Sequence, residues 1–437
     1  MTAIWQEIWH AMRSFGRAPR FAAVAIATLA LGIGANTAMF SAVNAVLFKP
    51  LPFRDAERLM LVNMLLPDRT GGPGAYREMV WSYPKYRSFA DNQQSFDAWA
   101  LFTAREFNLT GDDDPQHVRG EVVTDNYAAV LGLQPILGRE FTDEEANRVG
   151  GARAVLLGYA LWQSRYAGDP GIVGRTIQVD ATAHTVVGVL PRGFSGLSGG
   201  SDLWLPLAQV NPEDLGQPSS HSYTLVARRL AGVSEESAIA NARLTGDQVW
   251  TAFAGDAPDA ERESATAVSL YASRVDADLR RASLVLLGAV AFVLLIACVN
   301  LTNLLLAKTI ERRREIAIRV ALGASRARIG RQFFIESMLL AAFGAVAGLV
   351  IADLLLSAAT ILLPDPDVFF RSSLAPGQRR IVGAAGLTRI GASMVGLDGA
   401  TLLFTLGVTV VTAALVSVVP MLQASSLEPI EDRKSVV

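Results

Sequence analysis

Four stretches of this chain are almost free of charge. Residues 21–48, 282–307 and 400–422 carry no charged side chain, and residues 337–363 carry one, Asp353. A helix needs about 20 apolar residues to cross the hydrocarbon core of a bilayer. Each run therefore predicts a transmembrane helix. A buried helix of a soluble protein could explain one such run, but four in one chain argue for membrane spans. A signal peptide is the other reading of the first run. That run is about twice the usual apolar length, and no small-x-small cleavage site follows it early.

The polar residues between the runs set the remaining plan. Residues 49–281 alternate and break like a soluble mixed domain. "RTIQVDATAHTVVGVL" (175–190) predicts two strands joined by a short turn. "NYAAVLGL", "GYALWQSRY" and residues 234–255 predict helices, and "RTGGPGA" and "SGLSGG" predict loops. The predicted fold is an α-helical membrane protein with four transmembrane helices and an α+β extracytoplasmic domain inserted between helices 1 and 2. Before the first run, "IWQEIWHAMRSFGR" places Ile4, Ile8 and Met12 on one face, with Trp5 and Trp9 beside it. That spacing suits an amphipathic helix lying in the membrane interface over residues 1–20. The first turns of a long span-one helix are the alternative.

Composition agrees: 51% of residues are hydrophobic, 18% are charged, and mean hydropathy is +0.31. The net charge of −2 is less informative than its distribution. Arg13, Arg17 and Arg20 precede the first run. "RRREIAIRVALGASRARIGRQFF" (312–334) lies between the second and third, and Arg433 and Lys434 follow the fourth. Positive residues gather on the cytoplasmic side of short loops. The N-terminus, the loop 308–336 and the tail 423–437 are thus expected in the cytoplasm, with 49–281 and the outer loop 364–399 outside. Arg371, Arg379, Arg380 and Arg389 in that outer loop run against the rule.

Little points to chemistry. The one cysteine, Cys298, and four scattered histidines exclude an internal disulfide and a cysteine-based zinc site. No catalytic residue, cofactor or metal is expected, and no nucleic-acid partner. "GLSGG" (196–200) fits G-x-S-x-G, but a hydrolase needs that serine on a strand-turn-helix elbow, and here a loop leads into a predicted strand. "GDDDPQH" lacks calcium-loop spacing. No Gly-Lys dipeptide occurs, so there is no phosphate-binding loop, and ATP hydrolysis would fall to a separate subunit. Gly344 with Gly348, and Gly34 with Ala38, are small-residue pairs that let span backbones approach. Asp353 reads as an ion-coupling carboxylate or as a group at the outer interface.

Within the arginine-rich loop, Glu315 and Arg319 form an i, i+4 pair that favours a helix. Gly323 can end that helix and Ser325 can cap the next. Arginines that only fix topology and bind anionic lipid, each worth about 1 kcal/mol near the surface, are the alternative. They leave Ile316, Ile318, Val320 and Leu322 uncovered.

Three segments carry a family likeness. "SFGRAPRFAAVAIATLALGIGANTAMFSAVNAVLFKPLPFRDAERLMLV" (14–62), "FNLTGDDDPQHVRGEVVTDNYAAVLGLQPILGREFTDEE" (107–145) and "ACVNLTNLLLAKTIERRREIAIRVALGASRARIGRQFFIESMLLA" (297–341) resemble the MacB/FtsX-like permeases of ABC transporters. Residues 282–437 resemble the FtsX-like permease domain. The outer loop resembles that of the duplicated orphan permeases, which carry two modules in tandem. Here there is one module, and "QASSLEPIEDRKSVV" departs from the family pattern, as a half or truncated chain would. The resemblance implies a bacterial inner-membrane permease for efflux or extraction. It implies two partners besides membrane lipid: a separate ABC ATPase subunit, and a second permease module in a homodimer or pseudo-dimer. It also implies that the loop is the coupling helix, with Ile318, Arg319, Leu322 and Gly323 against the ATPase and Glu315 ordering the helix. A transmembrane signalling scaffold acting on a periplasmic partner, or a non-functional half-module, are the alternatives.

Overall fold

The computed structural model describes residues 2–68, 74–111, 114–210, 213–255, 261–273, 277–311, 326–362 and 395–425. They divide into two compact units. One is built from the described parts of Met1–Phe48, Asp278–Pro364 and Val395–Val437, the other from those of Lys49–Ala277.

The first unit is helical. An N-terminal helix, Thr2–Arg17, is followed by span 1 (Pro19–Val43), span 2 (Ala277–Glu311), span 3 (Arg326–Leu362) and span 4 (Gly399–Ser425). Ala18 leaves helical geometry (φ −131°, ψ 65°), and Pro19 starts span 1. Proline suits that position because its missing N–H has no intrahelical partner there anyway. The N-terminal helix is therefore separate from span 1. All four spans are long and apolar enough to cross a membrane. Ala25, Leu29 and Ile33 of span 1 join Cys298 and Leu301 of span 2, Leu340 and Ala341 of span 3 and Ala413 and Val416 of span 4 in one core. The outward faces keep large apolar side chains exposed, among them Val285, Phe292, Val346, Val350, Leu403 and Leu406. That surface needs hydrocarbon around it.

The described residues of the second unit form one mixed sheet. Its strands are β1 (Leu59–Pro67), β2 (Tyr76–Met79), β3 (Phe96–Thr110), β4 (Gln116–Val123), β5 (Leu137–Gly138), β6 (Ala154–Leu157), β7 (Thr176–Val179), β8 (Thr182–Val189), β9 (Leu203–Pro206), β10 (Thr224–Arg229) and β11 (Ser264–Ser269). The order is β11-β1-β10-β3-β4-β9-β6-β8-β5, with β2 on β1 and β7 bridging β3 and β8. Only β4–β9 and β6–β8 pair in parallel. The predicted hairpin is β7–β8. Its two-residue turn puts Asp180 (φ 48°) and Ala181 (φ 58°) in left-handed geometry, the twist a tight hairpin requires.

The sheet is covered on both faces, so its strands alternate between two cores instead of between core and water. Met60, Val62 and Met64 of β1 enter one core with Leu101 and Leu225, against helices Tyr83–Asn92 and Glu235–Phe253. Leu59 and Leu61 enter the other with Phe102, Trp204 and helix Tyr127–Leu131. Ser234 caps the Glu235–Phe253 helix by accepting from the Ser237 N–H (3.1 Å).

Candidate functional site

The described residues that border the arginine-rich loop are held by the N-terminal helix. At the end of span 2, Lys308 Nζ donates to Ser14 Oγ (3.4 Å) and lies 4.3 Å from the Phe21 ring centroid and 5.8 Å from that of Phe15. At the start of span 3, Arg331 Nε donates to Glu7 Oε2 (3.0 Å) and its Nη2 to Oε1 (2.5 Å). One helix thus touches both roots of the loop. The five residues expected to contact an ATPase or order the loop, Glu315, Ile318, Arg319, Leu322 and Gly323, lie outside the described residues.

One side of this helix is buried and another is open. Ala11, Ser14 and Phe15 are buried, while Met12, Trp5 and Trp9 are exposed. The helix carries apolar residues on more than one side. The buried side combines the small Ala11 and Ser14 with the Phe15 ring, which joins the core of the spans. The two tryptophans face outward, and the Arg13 guanidinium lies 3.5 Å over the Trp9 ring.

The small-residue positions lie at span contacts. A Cβ on Gly34 would stand 2.7 Å from Gly348 O, and one on Gly348 would stand 3.0 Å from Ala30 O. A Cβ on Gly344 would meet Leu29 Cβ at 2.6 Å. Gly34, Gly344 and Gly348 thus meet in one seam between spans 1 and 3, and Ala38 is half-buried. Polar side chains tie span 1 to two further helices. Asn36 Nδ2 donates to Val290 O in span 2 (3.0 Å), and Thr37 shares a hydrogen bond with Thr405 of span 4 (3.0 Å). Phe40 stacks on Phe404 with centroids 4.0 Å apart. Asp353 is exposed.

In the sheet unit, the segment that follows span 1 is locked down by a buried arginine. Arg228 of β10 donates to Arg54 O (2.9 Å) and to Val130 O (2.5 Å), while Leu51 and Phe53 are buried in the core below. Burial, followed by the neighbouring Arg58, holds its guanidinium below the usual arginine range.

The G-x-S-x-G match has a structural role. Glu121 of β4 is fully buried on the same face as Trp204. Its Oε1 accepts from the Ser198 N–H (2.6 Å), and its Oε2 accepts from Tyr127 Oη (2.8 Å) and Trp204 Nε1 (2.6 Å). Tyr127 Oη in turn accepts from the Leu197 N–H (2.9 Å). The glycine-rich loop is therefore folded onto a carboxylate. Gly196 (φ 76°) is required there, since a Cβ would stand 2.5 Å from the carboxyl group. The loop leads into β9 rather than a helix, so Ser198 is not on a nucleophile elbow. Among the described residues, no cluster of three or more histidine, cysteine or acidic side chains could hold a metal.

Burial raises the Glu121 pKa, against the opposing hydrogen bonds from Ser198, Tyr127 and Trp204. Since the folded-state pKa lies above the unfolded one, this group's contribution to stability is full below the ordinary glutamate range and is lost as pH rises. Glu121→Gln should lower the thermal midpoint of the sheet unit. In either amide orientation at least one buried N–H or O–H loses its acceptor, at a cost of about 1–3 kcal/mol for each. It should also flatten the fall in stability expected of wild type as pH rises above the ordinary glutamate range. Thermal unfolding from that range upward checks both, and a variant with wild-type midpoint and slope would refute the assignment.

Two families match successive parts of the chain. Residues 22–244 match the family described as the MacB-like periplasmic core domain. Residues 287–429 match the FtsX-like permease C-terminal family. The pyoverdine export ATP-binding/permease protein PvdT of Pseudomonas savastanoi pv. phaseolicola is 27% identical over 254 residues, covering 56% of this chain and 37% of that protein. The macrolide export ATP-binding/permease protein MacB of Hyphomonas neptunium is 26% identical over 260 residues, covering 58% and 38%. The chain thus spans well under half the length of these curated relatives. A solved structure, the periplasmic region of MacB from Actinobacillus actinomycetemcomitans, aligns with a TM-score of 0.35 at 13% identity, covering 49% of this chain and 89% of that one.

Proposed function

Because the chain belongs to the MacB/FtsX-like ABC transporter permeases, we propose that it transmits ATPase-driven motion across the bacterial inner membrane to an extracytoplasmic domain. The cargo is an amphiphilic substrate for efflux or extraction. The observation that carries this reading is the FtsX-like match over residues 287–429, which encloses the arginine-rich loop. Both described roots of that loop are pinned to one helix. A loop acting only as a topology signal would need no such fixing.

The rest of the mechanism follows from the chain's own residues. With no phosphate-binding loop, the chain takes its energy from a separate ATPase subunit docked on the loop. The small-residue seam lets span 1 and span 3 move as one body. Arg228 holds the segment after span 1 on the sheet unit, so that displacement of the span is passed on instead of absorbed by a slack linker. The N-terminal helix lies in the membrane interface, its exposed tryptophans at headgroup depth and its arginines near anionic lipid. A second permease module, as a homodimer or the other half of a tandem chain of the duplicated orphan permease kind, completes the assembly.

The N-terminus, the arginine-rich loop and the C-terminal tail then face the cytoplasm. Alkaline phosphatase fused near Gly199 should be active, and fused near Ser325 inactive. The reverse pattern would overturn the orientation. Co-purification of an ABC ATPase, and its stimulation by substrate in the assembled complex, test the transport reading. An associated ATPase that no substrate stimulates would favour a signalling scaffold.

A further inference from the structure

Resting on the coupling reading of the loop, we infer that the helix Thr2–Arg17 is a strut that sets the spacing and orientation of both loop roots, with Glu7 and Arg331 as positioning residues for ATPase docking. The contact at span 3 is a fork: two guanidinium nitrogens meet the two oxygens of one carboxylate. A fork fixes orientation as well as distance, which a single hydrogen bond does not. The contact at span 2 is made by Ser14 and Phe15 around Lys308. Glu7 and Ser14 are seven residues apart, so the two anchor points stand about 10 Å apart along the helix axis. A rigid helix of that length defines where the two ends of the intervening loop begin.

The identity of the acid supports the assignment. Glu7 is the only acidic residue among positions 1–54, and Arg13 and Arg17 share its helix. Near anionic headgroups a lone carboxylate is disfavoured unless it has a partner. Glu7 is the more covered member of the pair, its side chain 18% exposed against 48% for Arg331. A helix that only anchored the chain to lipid would be better served by a neutral or basic residue there. The pair is too exposed to add much stability, so its effect falls on geometry.

The experiment uses the full chain in lipid nanodiscs, with Cys298→Ser and spin labels at Ile310→Cys and Phe334→Cys, both exposed positions beside the roots. Wild type is expected to give one narrow interlabel distance distribution. Glu7→Arg and Arg331→Glu should each lose it, and the combined charge swap should restore it. In membranes holding the ABC ATPase that co-purifies with wild type, each single variant should retain about a fifth of the bound ATPase, at the low end of ordinary site-to-site coupling. The swap should recover most of it at unchanged abundance. Glu7→Gln, which keeps the shape, serves if the reversed charge disturbs insertion, and should show the same broadening.

Single variants with the wild-type distribution, or a swap that does not restore it, would overturn the strut. Broadening and rescue with no change in bound ATPase would overturn its positioning role. Arg319→Glu with Leu322→Asp is measured alongside. If that variant loses the ATPase while Glu7→Arg does not, the strut falls and the coupling reading stands. If neither loses it, the coupling reading falls, and with it the positioning role.

Discussion

Gly34→Leu should strip most of the protein from the membrane, while Gly407→Leu in span 4 should leave it unharmed. The two substitutions add the same side chain to a membrane-spanning helix. They differ in what the new atoms meet. At Gly34 the first added carbon would already stand 2.7 Å from a backbone oxygen of span 3, which cannot rotate aside. At Gly407 nothing lies within 4 Å. Relief at Gly34 requires spans 1 and 3 to separate, which opens the packing of Leu29 and Ile33 against Leu340 and Ala341. Helices in lipid gain nothing from hiding apolar surface, since the tails are as apolar as leucine. Close packing and the few interhelical hydrogen bonds are what hold them, so the lost contact has no substitute. Overpacking of this kind costs about 1–3 kcal/mol or more, enough to cut steady-state abundance several-fold. Abundance and thermal midpoint in detergent would check the pair. Equal losses at the two glycines, or none at Gly34, would remove the seam from the account.

The spans are legible because the bilayer imposes a simple rule, long runs without charge, and the chain obeys it four times. The β7–β8 hairpin is legible for a similar reason: its alternation and its two-residue turn are local. The remaining strand order is not local. β1 lies between β10 and β11, each more than 150 positions away, and no short-range pattern names those partners. Glu121 is hidden for the same reason. An acid inside "RGEVV" reads as a solvent-facing strand position. Its burial follows only once Tyr127, Ser198 and Trp204, the last of them 83 positions away, converge on it. The one clue is that Glu121 shares its strand face with Val123, an apolar residue. The N-terminal helix is legible as a helix from its periodicity, but burial of Ala11, Ser14 and Phe15 is set by packing on distant spans that no local pattern displays.

If the proposed coupling reading holds, Arg319→Glu with Leu322→Asp should leave insertion and abundance intact but abolish ATPase association. The pair Glu315–Arg319 favours a helix, worth about 0.2–0.5 kcal/mol as an isolated pair. That is too little on its own, so a helix there would need a docking partner to be stable. On the coupling reading proposed above, Ile318 and Leu322, four positions apart in the sequence, would supply an apolar ridge for that partner. Reversing the charge at Arg319 removes the cationic donor that the proposed docking would use. An aspartate at Leu322 carries a charge into an apolar contact, where an unpaired charge is among the costliest groups to bury. Both positions lie outside the four apolar runs of the sequence, so assembly of the bundle should survive. Membrane abundance, phosphatase fusion activity at Gly199 and ATPase co-purification, measured together, separate the outcomes. Loss of all three readouts would mean that the loop serves folding. If the ATPase still binds and the transporter still works, the loop does no more than orient the chain, and the fixing of its roots by Glu7 and Ser14 would need another purpose.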